Sequence, residues 1–141
     1  MRYQFSLLLM VGLLALPSCA STPRTLAVGG YKVSQASAAA QAATKTANVT
    51  GVLPTPIYTK FLDAAEVLNK AGVDYSRSVI AYLANADSTT MGNLQAALVA
   101  LQVALAGLPA VLAGPTKDQV TAITDGPKPA LAKAQKAIGG K

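Results

Sequence analysis

Residues 94–112, LQAALVALQVALAGLPAVL, decide the fold of this chain. Leucines recur there at alternating steps of four and three, the heptad spacing of a helix that packs along one seam. They are Leu94, Leu98, Leu101, Leu105, Leu108 and Leu112. Because Gly107 and Pro109 interrupt the seam, it predicts a packed helix that kinks or ends near Leu108 rather than a long coiled coil.

A second stripe predicts the helix that pairs with this one. Its apolar members recur at steps of three and four, with charged residues on the other faces. They are Ile57, Phe61, Ala64, Leu68, Ala71, Tyr75, Val79, Tyr82 and Ala86. Thr55 before Pro56 is typical of an N-cap followed by a first-turn proline, and the cluster that begins at Asp87 supplies a turn and a cap for the leucine helix.

The remaining segments complete an all-α, three- to four-helix bundle. Residues 26–47 are rich in alanine, serine and glutamine and predict a first helix, which the Gly and Pro residues of 48–56 end. Residues 116–124 predict a short helical turn and residues 129–138 a last short helix. We therefore expect one alanine-rich helical domain over residues 26–141.

The leucine helix also admits a second interpretation. No ionisable residue lies between Asp87 and Lys117, so Leu94–Ala113 is long enough to span a bilayer. Weakly hydrophobic alanines, Gln95 and Gln102 favour the bundle. The small residues Ala96, Ala100 and Ala104 form a second face that would let another helix backbone approach closely. The alternative is a small membrane-permeabilising or lysis-associated protein with a span at residues 94–113.

The first nineteen residues predict export. A positive start, Met1-Arg2, precedes an apolar run over residues 5–16, and Pro17-Ser18-Cys19 follows. This is the layout of a secretory signal, too short for an ordinary membrane span. We expect a signal peptide over residues 1–18 and a tether over residues 19–25.

The end of this signal, Leu16-Pro17-Ser18-Cys19, resembles the lipobox of bacterial lipoproteins. That resemblance implies cleavage before Cys19, lipidation of its sulfur, and membrane attachment through the acyl chains. Ala20 after the cysteine would then suggest the periplasmic face of the outer membrane in a Gram-negative cell. The layout is similar to small alanine-rich lipoproteins of bacterial genomes and prophages. Cleavage after Ala20 is the rival interpretation and would release a soluble protein.

Catalytic and metal-binding chemistry finds little support. The chain has no histidine, one cysteine and six carboxylate side chains, so we expect no metal, no cofactor and no enzyme activity. Asp63 and Glu66 lie one helical turn apart, but the cations at Lys70 and Arg77 predict exposed ion pairs, Glu66 with Lys70 and Asp74 with Arg77.

Charge and aromatic residues limit the partners. The net charge is +6, yet the basic residues are scattered, which argues against nucleic-acid binding. The one local excess is Lys128, Lys133, Lys136 and Lys141, interpreted as a solvated helix face, with anionic lipid or cell wall as the alternative contact. Tyr58, Tyr75 and Tyr82 are interpreted as core rather than as a binding platform.

The chain end and the apolar surplus of the leucine helix suggest further partners. Lys141 follows Gly-Gly and resembles, in that one residue, the helical outer-membrane lipoprotein whose terminal lysine is joined to peptidoglycan. Self-association or an envelope protein partner is also expected, because the leucine helix is apolar on nearly all sides.

Overall fold

The computed structural model describes residues 21–139, in which all regular secondary structure is helical. The helices are α1 (Ser21–Val49), α2 (Thr55–Ala84), α3 (Ser88–Ala110), α4 (Gly114–Asp125) and α5 (Lys128–Ala137). The predicted all-α class and small bundle are confirmed.

The five helices pack against one another in a ring. α1 packs against α2 on one side and against α4 and α5 on the other, while α3 closes the ring between α2 and α4. The short helices α4 and α5 together occupy the fourth position, divided at Gly126 and Pro127. The architecture is thus a four-helix arrangement whose last helix is broken in two.

The core lies where the two sequence stripes predicted it. All six leucines of the seam are buried, none of them more than 4% exposed. From α2, Phe61, Leu68, Tyr75 and Val79 are buried against the same cluster, and α5 contributes Leu131. Because these large side chains alternate with alanine, the bundle is filled mainly from α2 and α3.

Asp87 begins α3 as predicted. Its Oδ1 accepts the backbone N–H of Thr90 at 2.8 Å, and Thr90 Oγ1 accepts the backbone N–H of Asp87 at 3.0 Å. This reciprocal pair is a capping box, which satisfies two backbone donors at the helix start. The N–H of Thr90 also lowers the pKa of the Asp87 carboxyl, since it stabilises the charged form.

The start of α2 differs from the prediction. Pro54 occupies the N-cap position without a side-chain capping bond, and Thr55 is already the first helical residue. The preceding turn is held instead by Asn48, whose Nδ2 donates to the carbonyl of Leu53 at 3.0 Å. Gly51 adopts a positive φ of 80° in this turn, which favours glycine over residues with a side chain.

The prediction of a tether over residues 19–25 is wrong for residues 21–25, because α1 is helical from Ser21. Residues 19 and 20 lie outside the described part. The early start is explained by packing: Leu26 and Ala27 are fully buried, so the first turns of α1 gain tertiary contacts that a sequence pattern does not display. α4 is likewise longer than the predicted turn at residues 116–124, since Gly114 and Pro115 begin it.

Candidate interaction surfaces

Cys19, the predicted lipidation site, lies outside the described residues, as do the signal segment and Lys141. What the structure describes is the chain that follows the cysteine. α1 begins at Ser21, two residues after it, and runs directly into the bundle. The start of α1 is therefore the part of the fold nearest to the predicted anchor.

Tyr75 fastens the start of α1 to α2. Its side chain is fully buried, and its hydroxyl donates to the carbonyl of Leu26 at 2.8 Å across 49 residues of sequence. Burial raises the pKa of the Tyr75 phenol well above its usual value, so the hydroxyl stays protonated and remains a donor. Tyr75 thus belongs to the core, as the sequence predicted. Tyr58 and Tyr82 are half-buried and pack against the same core.

α5 also reaches this end of the bundle and is joined to α3. A Cβ placed on Gly29 of α1 would lie 3.5 Å from Leu131 and 3.6 Å from Ala134, ordinary contact distances to α5. Gln95 of α3 donates from its Nε2 to the carbonyl of Ile138, just after α5, at 3.4 Å. Both α2 and α5 therefore contact the start of α1, and Gln95 joins α3 to the residue that follows α5.

The outward side of α3 carries a second heptad series, which we call the outer seam. Its members recur at steps of three and four and are all exposed: Thr89, Gly92, Ala96, Val99, Val103, Ala106 and Ala110. Val99 is 53% exposed and Val103 is 67% exposed. α3 contains no charged residue, so the outer seam is apolar or small over most of its length.

The predicted small-residue face of α3 is divided between two environments. Ala104 is buried in the core, whereas Ala96 and Ala100 are exposed. No helix among the described residues covers these two alanines. Of the three alanines, only Ala104 is packed within the bundle.

α3 is also the one described helix long and apolar enough to cross a membrane by length and composition. Its leucines are buried in the bundle, however, and 39% of its most apolar window is buried. A spanning state would therefore require the leucine seam to leave the core.

An open cavity of about 330 Å³ lies between α3 and the pair α4 and α5. Its lining mixes apolar groups such as Leu105 and Pro109 with polar ones. Asp125 and Lys128 at this cavity form an ion pair with each other, and Thr124 donates to the carbonyl of Thr121. These polar groups are thus engaged within the chain rather than directed at a ligand.

The charged side chains form exposed pairs or stand in solvent. Glu66 and Lys70 are 3.4 Å apart, which confirms the predicted pair, and both are largely exposed. The predicted pair of Asp74 and Arg77 is not formed within 4 Å. The lysines of α5 are exposed, as expected of a solvated face.

Within residues 21–139, no three His, Cys, Asp or Glu side chains lie close enough to hold a metal ion. Comparisons with family models, with curated proteins and with solved structures found no match to this chain.

Proposed function

We propose that this protein is an exported lipoprotein, anchored through Cys19, that serves a structural or protein-interaction role in the bacterial cell envelope without catalysis. The observation that carries the proposal is the position of the cysteine. It is the only one in 141 residues, it follows the apolar segment directly, and it has a leucine three residues before it and a serine immediately before it.

The start of α1 supports an anchor at this position. Two residues span at most about 7 Å, so an acylated Cys19 would hold the bundle close to the bilayer. The hydrogen bond from Tyr75 to Leu26 joins the first turns of α1 to α2. The acyl anchor would therefore be attached to the packed bundle and not to a frayed helix end. Two or three acyl chains are enough for stable attachment.

The interaction role is supported by what the described surface offers. The outer seam of α3 is exposed and uncharged, and it includes the exposed side chains of Val99 and Val103. Surfaces of this kind mark contacts with other molecules. The exposed acids of α2, in contrast, stand in water, and Glu66 is paired with a lysine.

Intact mass tests the anchor. The wild-type chain and Cys19→Ala are expressed in a bacterium that processes lipoproteins. We expect the wild-type mass to equal residues 19–141 plus acyl chains, and the acyl mass to be absent in Cys19→Ala. Ser18→Ala, which keeps a small residue before the cysteine, is the control and should be lipidated normally. A wild-type mass that begins at Ser21 would refute the anchor and indicate a soluble secreted bundle.

The second candidate, a lysis-associated protein with a span in α3, is favoured only by the length and composition of that helix. Alkaline carbonate extraction of membranes from Cys19→Ala cells separates the two. The anchored bundle predicts release of the variant into the supernatant, whereas a spanning helix would keep it in the membrane pellet.

A further inference from the structure

We infer that one side of the bundle, formed by α1 and α5, binds the anionic phospholipid headgroups of the membrane to which Cys19 would attach the chain. The inference rests on the proposed anchor. We call this side the basic side and define it by four exposed cations, Arg24 and Lys32 of α1 and Lys133 and Lys136 of α5. Negatively charged headgroups attract Lys and Arg side chains that lie within a Debye length of the membrane surface.

The fold brings the cations of α1 and α5 together, although they are about a hundred residues apart in the sequence. α2 reverses the chain between α1 and α3, so α1 and α3 begin at the same end of the bundle. At that end Gln95, in the first half of α3, donates to the carbonyl of Ile138, just after α5. A Cβ on Gly29 of α1 would lie 3.6 Å from the Cβ of Ala134 of α5. The lysines of the basic side are therefore level with the first third of α1, the part nearest to the proposed anchor.

No carboxylate of a neighbouring helix balances the basic side. α1 and α5 contain no Asp or Glu, and α3, which also packs against α5, has no charged residue. Within residues 21–139, the ion pairs join Glu66 to Lys70 and Asp125 to Lys128, and neither pair includes a member of the basic side. The acids of the chain lie on α2, on α4 and at Asp87. The positive potential of the basic side is therefore not cancelled locally.

A tyrosine lies among these cations. Tyr31 precedes Lys32 and is about two helical turns from Arg24, so it shares the outward stripe of α1. Its ring is half-buried, and its hydroxyl accepts a hydrogen bond at the surface from Nε2 of Gln35 at 3.0 Å. Tyrosines with an apolar ring and a polar tip at the surface are enriched at the boundary between membrane and water. Tyr31 thus adds a second feature that suits lipid headgroups.

Shape and position select a lipid leaflet over a single anion. The four cations are spread over two helices, and none of them lines the open cavity of about 330 Å³. A leaflet presents phosphates at many positions, so spread cations can all be engaged at once. The leaflet is also close, because two extended residues and one helical turn place Arg24 within about 12 Å of Cys19.

Docking of the basic side fixes the orientation of the bundle on the membrane. The bundle lies on α1 and α5, and α3 stands across the ring from α1. The outer seam, with Val99 and Val103, then faces away from the lipid and stays open to a protein partner. An α3 that enters the bilayer predicts the opposite orientation.

Lipid quenching measures this orientation on the full chain as the bacterium produces it. A fluorophore is placed on Ala132→Cys of α5 or on Val103→Cys of α3, both exposed positions, and the chain is reconstituted in phosphatidylcholine vesicles that contain phosphatidylglycerol and a lipid with a nitroxide headgroup. We expect the label on α5 to be quenched about two-fold more than the label on α3, and about 1 M salt to remove the difference by screening. The wild-type chain measures any signal from Cys19.

Equal quenching at the two positions, or stronger quenching on α3, would overturn the docking. A difference that persists in vesicles of phosphatidylcholine alone would also overturn it, because the orientation would then not depend on lipid charge. So would a chain that shows no difference on the vesicles but binds a soluble acidic polysaccharide, which would indicate a cell-wall polymer as the partner.

Paired charge variants separate the basic side from the general positive charge of the protein. Lys133→Gln combined with Lys136→Gln should abolish the quenching difference, since each cation strengthens the attraction to an anionic leaflet by about five-fold. The matched control combines Lys60→Gln on α2 with Lys117→Gln on α4, which removes the same charge from exposed lysines elsewhere and should retain the difference. Equal loss in both double variants, with unchanged helical circular dichroism, would overturn the assignment to the basic side.

Failure of the anchor and failure of the docking are distinguishable. The intact mass reports the anchor at Cys19 and does not depend on the lysine variants. If the mass begins at Ser21, sedimentation of the chain with the same vesicles tests the basic side alone. Salt-sensitive pelleting with phosphatidylglycerol would support the lipid contact without an anchor, and a chain that stays in the supernatant would refute it.

Discussion

Replacing Leu101 and Val103 by alanine, one at a time, measures which side of α3 is packed in the single bundle. Leu101 is fully buried, whereas Val103 is 67% exposed. Leu101→Ala removes three carbon groups worth about 0.8 kcal/mol each, or about 2.4 kcal/mol of transfer free energy. The cavity left behind brings the expected loss to about 2–5 kcal/mol. Val103→Ala removes two groups that are about one-third buried, for an expected loss of about 0.5 kcal/mol.

Urea unfolding followed by helical circular dichroism gives both values, provided that the slope with denaturant is the same in all variants. The titration is run at a protein concentration low enough to keep the chain monomeric. Leu101→Met is the control for volume, and should cost less than about 1.5 kcal/mol because it fills the same space. Equal losses for Leu101→Ala and Val103→Ala, or a larger loss at Val103, would refute the assignment of the leucine seam to the core and favour a membrane-spanning α3.

Three further changes test the ends and joints of the bundle. Tyr75→Phe should lower the free energy of unfolding by about 0.5–1.5 kcal/mol, because it removes the hydroxyl that donates to Leu26, and urea titration measures it. Asp87→Asn keeps a capping side chain, so it should be nearly as stable as wild type at neutral pH. The Asp87 carboxyl has a lowered pKa in the folded protein, so the stability that it contributes is present at neutral pH and is lost as pH falls through that pKa. The free energy of unfolding, measured by urea titration down to about pH 2, should therefore decrease less with falling pH in Asp87→Asn than in wild type. Gly72→Ala, in the middle of α2 with open space around it, should stabilise by about 0.5–1 kcal/mol, whereas Gly51→Ala should destabilise because its φ is 80°.

The sequence predicted the core well where large side chains keep a regular spacing. Leu98 and Leu105 of α3 and Phe61 and Tyr75 of α2 are buried as their stripes indicated. In an alanine-rich chain, few residues are large enough to fill the space between helices, so their positions define the packed sides. Asp87 was equally informative, because an acidic residue before Ser-Thr-Thr has few uses other than a helix cap.

Prediction was weaker where small residues or tertiary contacts decide the structure. The first turns of α1 contain Pro23 and precede Gly29 and Gly30, which locally disfavour a helix, yet the contacts of Leu26 override that preference. Alanine spacing gave no indication that Ala104 would be buried while Ala100 stays exposed, since alanine fits either environment. Lipidation at Cys19 stays a prediction, since it depends on residues 1–20.

The contrast between the outer sides of α2 and α3 is the strongest reason to expect that α3 is covered in the working protein. Both helices are long, and both bury one stripe of large side chains in the same core. The exposed side of α2 carries Lys60, Asp63, Glu66, Lys70 and Arg77, while α3 carries no charge over 23 residues. A position that faces only water accepts many residue types, and a charged residue there favours solubility. α2 follows that rule in part, since it also exposes Leu62, Val67 and Ile80, whereas α3 exposes no charged residue at all. An uncharged and partly apolar surface gains stability when it is removed from water.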